Sequence, residues 1–147
     1  MHPDTKALLL KYDEADAWEY PSNFDGEHIE QRARAVFAEL DNCFDGLVFE
    51  DWLYNQDASF GLAVVFPLPE SDRFIQAPTL RFSNFGNLAA LAFEEGLPEQ
   101  AKPLIIDSLV RHCFAFIEAD ALDEAYDGVM SPDPRLTTWR VRYFDWI

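Results

Sequence analysis

The sequence is short of positive charge: eleven Lys and Arg stand against twenty-seven Asp and Glu, a formal net charge of −16 on 147 residues. A field of that sign repels nucleic acid, anionic lipid and phosphorylated substrates, and it speeds encounter with basic proteins. Cysteine is scarce as well. Cys43 and Cys113 lie in apolar stretches without CxxC spacing, so the expectation is buried free thiols in a reducing compartment, with no disulfide and no metal needed for folding. No apolar run approaches the roughly 20 residues that cross a bilayer. Residues 1–10 have neither a basic leader nor an export core. A cytoplasmic protein without membrane contact is therefore expected. HExxH, GxSxG, the P-loop and internal repeats are all missing, and the many carboxylates lack a second group that would set their pKa values apart. The chain is accordingly read as not an enzyme, with no catalytic residue, cofactor or metal assigned.

What the chain has in quantity is aromatic mass: thirteen Phe, five Tyr and four Trp, within 49% hydrophobic residues. An acidic disordered chain does not carry such a load. The length suits one domain, residues 1–147, that buries about two-thirds of its unfolded surface. Asp25 is placed to cap a helix whose stripe runs Ile29, Ala33, Val36, Phe37, Leu40 and Phe44, with Gly46 at its end. Residues 47–54 and 60–66 form one predicted hairpin and residues 79–83 and 88–93 a second, helix remaining an alternative for 88–95. A second helix opens at Pro98 or Pro103 and runs to about His112, after which residues 114–117 look extended. The closing stretch, 136–147, is the richest in aromatic and β-branched residues. Its alternation of Thr137, Trp139, Val141 and Tyr143 predicts a strand docked inside the sheet. Residues 1–24 are weakly patterned. The sum is an α+β domain: an antiparallel sheet of four to six strands with two main helices packed on one face.

The charge is unevenly spread. Asp13, Glu14, Asp16, Glu19, Asp25, Glu27 and Glu30 follow one another with no Lys or Arg among them, and so do Glu118, Asp120, Asp123, Glu124 and Asp127. Near the C-terminus Arg135, Arg140 and Arg142 outnumber Asp145. These arginines are expected to pair with one acidic segment inside the fold and leave the other acids facing outward. The segment 118–128 lacks the central Gly and the twelfth-position Glu of a calcium loop, so a solvated or partner-facing edge is the better account. His112 and Cys113 are adjacent, so their side chains point apart and neither activates the other. Aromatics interleaved with acids are the remaining feature: Trp18, Tyr20 and Phe24 in the first cluster, and Phe49, Trp52 and Tyr54 beside Glu50 and Asp51. Taken singly each ring is more simply core. Together they form a pattern in which rings anchor a contact and carboxylates select a basic partner. The candidate contact residues are Asp13, Glu14, Asp16, Trp18, Glu19, Tyr20, Glu50, Asp51 and Trp52.

At Arg81-Phe82-Ser83-Asn84-Phe85-Gly86-Asn87-Leu88, at Tyr126-Asp127-Gly128 and at Thr138-Trp139-Arg140-Val141-Arg142-Tyr143-Phe144-Asp145-Trp146, the sequence resembles small bacterial immunity proteins. These are the antitoxins of polymorphic toxin and contact-dependent growth inhibition systems. The resemblance covers the half from residue 79 onward and is structural, so it transfers no contact residue. It implies a protein that binds one cognate basic toxin domain, often a nuclease, and blocks it, with the acidic N-terminal half as the contact surface. A structural or adaptor domain that forms a homodimer or a stable complex stays open as the alternative.

Overall fold

The computed structural model describes residues 1–51, 58–68 and 76–144. Five strands form one sheet in the order β1 (Val48–Asp51), β2 (Ser59–Val65), β3 (Thr79–Ser83), β4 (Leu88–Ala92) and β5 (Ala115–Phe116). The first four are antiparallel neighbours, and β5 adds parallel to β4. A parallel pair needs a crossover, which the helix α3 (Ala101–Arg111) supplies. Both predicted hairpins are present. The expected α+β class and pair of long helices on one face are likewise found, the sheet is antiparallel except for β5, and residues 88–92 are strand, followed by a single 3-10 turn at Glu94–Gly96.

Alternation along the strands divides the sheet into two faces. Phe60, Leu62, Val64, Leu80, Phe82, Ala89 and Leu91 point to one core, where α2 (Gly26–Asp41) and α3 lie. The α2 stripe is the expected one: Ile29, Ala33, Val36 and Leu40 are buried, and Asp25 caps the helix by accepting the His28 N–H at 3.0 Å. Leu88, Ala90 and Ile117 point the other way into a second core with Leu9, Phe85, Leu122, Trp139 and Tyr143. That core is built by α1 (Pro3–Tyr12), α4 (Ala119–Leu122) and α5 (Trp139–Phe144).

Two expectations are overturned. The closing stretch is a helix over Trp139–Phe144, not a strand, and among the described residues its one extended pairing is the bridge between Thr138 and Ala125. Thr138 starts the helix: its Oγ1 accepts the Val141 N–H at 3.3 Å and its carbonyl accepts from Arg142 at 3.2 Å. A helical turn puts Trp139, Arg142 and Tyr143 on one inward side, and all three are buried. The two cysteines are also exposed rather than buried. Cys43 falls in the turn after α2, and Cys113 takes a left-handed φ of +60° directly after α3, so neither keeps its side chain under a regular element.

Candidate partner-binding surface

The segment that joins α1 to α2 carries six of the nine candidate contact residues and begins at Asp13, which turns out to be an anchor. Its carboxylate is wholly enclosed and pairs with the equally enclosed Arg142 of α5, Nε to Oδ1 at 2.7 Å. Oδ2 accepts the Tyr126 hydroxyl at 2.6 Å and the Val129 N–H at 2.8 Å. Arg142 lies flat against Phe85, 4.2 Å from its centroid, and reaches the Glu14 carbonyl at 3.3 Å. Burial, together with the hydrogen bond to the Asp13 carboxylate, pushes the Tyr126 hydroxyl up to about 12. Tyr143, buried first of all and facing the same carboxylate, is raised as well, and its hydroxyl donates to the Leu9 carbonyl at 2.6 Å. Removing one member of such a pair strands the other charge in the interior, at a cost of roughly 3–5 kcal/mol. Asp13 therefore holds the fold together and presents nothing to a partner, which corrects its place among the expected contact residues.

Beyond this anchor the chain is tied down at several points. Glu14 accepts the Ser22 N–H at 3.0 Å, closing the loop on itself. Asp16 sits at a φ of +63°, a left-handed position that Asp tolerates better than most residues. The Glu19 carbonyl accepts from the Asn84 side chain at 2.8 Å, which binds the loop to the β3–β4 turn. Trp18 is half-buried with the Arg135 guanidinium 4.1 Å over its ring. Tyr20 is 44% exposed and leans on Phe24 at 4.6 Å, and Phe24 in turn meets Phe60 of β2. Between Tyr20, Phe24, Phe60 and Glu30 opens a cavity of about 360 Å³. A neighbouring one of about 390 Å³ lies against Glu14, Asp25 and His28, and Phe24 and Asn84 border both. Acids and exposed rings are thus presented on a loop already held in shape, which lowers the ordering cost of a contact.

The two acidic segments meet different fates. In 118–127, Glu118 pairs with Lys102 at 2.7 Å, Asp123 with Arg140 at 2.6 Å, Glu124 with the N-terminal amine and Asp127 with Lys6. Only Asp120 lacks an ion-pair partner there among the described residues. In the first segment Asp13 has Arg142 and Glu30 has Arg34, whereas Asp16, Glu19 and Glu27 have no ion-pair partner among the described residues. The three C-terminal arginines divide their attention: Arg142 goes to the first segment, Arg140 to the second and Arg135 to neighbouring Asp133.

Glu50 and Asp51 stand elsewhere, on the edge strand β1 opposite Ala63 and Leu62. Phe49 beside them is core, stacked on Phe37 at 4.9 Å, and Trp52 lies outside the described residues. A cluster the sequence did not disclose joins α2 to α3: Glu39 accepts from Ser108 at 2.9 Å and Arg111 at 2.7 Å, and it meets His112 Nε2 at 2.8 Å. These hydrogen bonds, Arg111 first, hold the Glu39 carboxyl below its ordinary range. Ser108 and His112 both address the carboxylate and not each other, so the trio is a helix staple without a nucleophile and base in contact. Among the described residues no three His, Cys, Asp or Glu side chains are grouped as metal ligands, and no helix is long and apolar enough to cross a membrane. Comparison with protein-family models, with curated proteins and with solved structures gives no match in any of the three.

Proposed function

We propose that this protein is a non-catalytic inhibitor of the immunity type, which binds a basic toxin domain in the cytoplasm through the loop between α1 and α2. The observation that carries the reading is the contrast between the segments: the fold neutralises most of the acids in 118–127 but leaves Asp16 and Glu19 uncommitted in the loop that carries Trp18 and Tyr20, and Glu27 uncommitted in the first turn of α2. A nuclease toxin holds phosphates with Lys and Arg, so a preorganised set of carboxylates competes for the same groups without chemistry of its own. Exposed Tyr20 and half-buried Trp18 supply the apolar anchors. Glu50 and Asp51 extend the acidic surface on the β1 edge.

The test is association with the basic domain encoded in the adjoining reading frame. The on-rate falls as salt rises, and the paired change Asp16→Asn with Glu19→Lys, in which Asn keeps the left-handed backbone at position 16, slows association about tenfold at low salt while the melting temperature holds. Co-expression of the wild-type chain protects a host from the domain. An on-rate indifferent to ionic strength, or protection unaffected by the paired change, would sink the proposal. A homodimer, the competing reading, would use β1, the outer strand of the sheet among the described residues, where Val48 is 53% exposed, and light scattering on the pure protein detects it.

A further inference from the structure

A larger cleft of about 880 Å³ lies away from this loop and shares no lining residue with the two cavities beside it. From β3 and β4 it is lined by the small side chains of Thr79, Ala90 and Ala92 together with Arg81. One wall is α4 and α5, with Asp120, Asp123 and Arg140. The other is Phe93 with Glu94 and Glu95.

The charges in this cleft are unequally committed. Asp123 is held by Arg140 at 2.6 Å and Glu94 by Lys102 at 3.0 Å. Arg81 donates to the Ser59 hydroxyl at 2.7 Å. Glu95 and Asp120 have no ion-pair or hydrogen-bond partner among the described residues. Phe93 stands between strand and 3-10 turn with a left-handed φ of +59° and leaves 47% of its surface exposed at the rim. A bulky residue adopts that backbone only where its surroundings impose it. An exposed ring and two spare carboxylates lining one cleft of about 880 Å³ are the chemistry that receives a guanidinium: the ring takes its flat face and the acids take its N–H groups. Anions are disfavoured by the same two acids.

We infer that this cleft is a docking site for an arginine side chain carried on a segment of a protein partner, with Phe93, Glu95 and Asp120 as its recognition groups. The inference stands whether or not the inhibitor reading does, since it concerns a different face.

The probe is the peptide acetyl-Gly-Arg-Gly-amide, titrated into the full chain while backbone amide resonances are followed by NMR. The comparator carries citrulline, which keeps the shape and loses the charge. Saturable shifts at Phe93, Glu95 and Asp120 are expected, with citrulline at least about tenfold weaker. Phe93→Leu and Asp120→Asn are surface changes that leave the rest of the spectrum in place and weaken the peptide several-fold each. The loop variant Asp16→Asn with Glu19→Lys leaves the titration unchanged, so failure here and failure of the inhibitor proposal are told apart. No saturable shift at tens of millimolar peptide, equal response to citrulline, or shifts confined to residues 14–28 would overturn it.

Discussion

The segments 13–30 and 118–127 have nearly the same chemistry in sequence, since each is a run of carboxylates with no Lys or Arg inside it. In the fold they become opposites. The second is folded against cations from α1, α3 and α5 and is mostly neutralised where it lies. The first gives up one carboxylate to the interior and leaves Asp16, Glu19 and Glu27 uncommitted. Acidic composition alone therefore does not mark a contact surface. What marks it is the set of acids left after the protein's own cations have been assigned, and that set depends on tertiary neighbours.

The comparison is broken most severely at its anchor. Asp13→Asn or Arg142→Met should each destabilise the protein by roughly 3–5 kcal/mol, because each strands a buried partner. The double change, which removes both charges, should recover part of that loss. Urea denaturation measures all three. A double variant no better than the worse single one would show that the pair is not the origin of the cost. Ionisation gives a second, independent handle on the same place. Tyr126 titrates at about 12 in the fold against an ordinary 10, and Tyr143 is raised too. A raised pKa means that the unfolded chain loses its protons first. The contribution of these two tyrosines is then constant below pH 10 and is lost as pH climbs from 10 toward 12. Denaturation midpoints across that window should fall in the wild type and fall less in Tyr126→Phe, with tyrosinate absorbance reporting the titration itself.

The helix that carries both Arg140 and Arg142 can be loosened more gently. Thr138→Ala removes the N-cap of α5 and should cost about 1 kcal/mol, with Thr138→Ser restoring most of it. A cost near zero would mean that the helix is held by its buried Trp139 and Tyr143 alone.

That helix also shows where the sequence stops being legible. Over six residues the alternation of Trp139, Val141 and Tyr143 fits a strand, and the spacing of Trp139, Arg142 and Tyr143 fits a helix equally well. What decides is Arg142, which must turn inward to meet a carboxylate 129 positions away. By contrast α2 could be read directly, since Asp25 supplies its cap and four buried residues repeat its stripe. Both hairpins were readable from turn-forming stretches between apolar runs. α1 passed unnoticed although Pro3, Asp4 and Lys11 mark its ends, because Leu9 is its one fully buried side chain and the apolar stripe is too thin to register. At the candidate surface, composition found Glu14, Asp16, Trp18, Glu19 and Tyr20 together, and the structure brings them into one loop. It had no means of telling Asp13 from Asp16. The cleft proposed for an arginine was invisible for a similar reason, since Asp120 of α4 joins Phe93 and Glu95 at the 3-10 turn only in the fold.

The smallest effect is the sharpest test of the comparison, because it asks whether equal numbers of acids in the two segments contribute equally. Asp123→Asn, Glu124→Gln and Asp127→Asn together delete three ion pairs with partly exposed cations. Each is worth a few tenths of a kcal/mol, and their sum should stay within about 1 kcal/mol of destabilisation. Asp16→Asn, Glu19→Gln and Glu27→Gln delete no pair. In a chain of charge −16 they relieve self-repulsion, so the second triple variant should be as stable as the wild type or slightly more so. Urea midpoints measured side by side resolve the difference in sign, and added salt should shrink it by screening both terms. Should this second triple lose as much stability as the first, its carboxylates would be serving the fold after all, and the surplus charge on which the proposed surface rests would not be surplus.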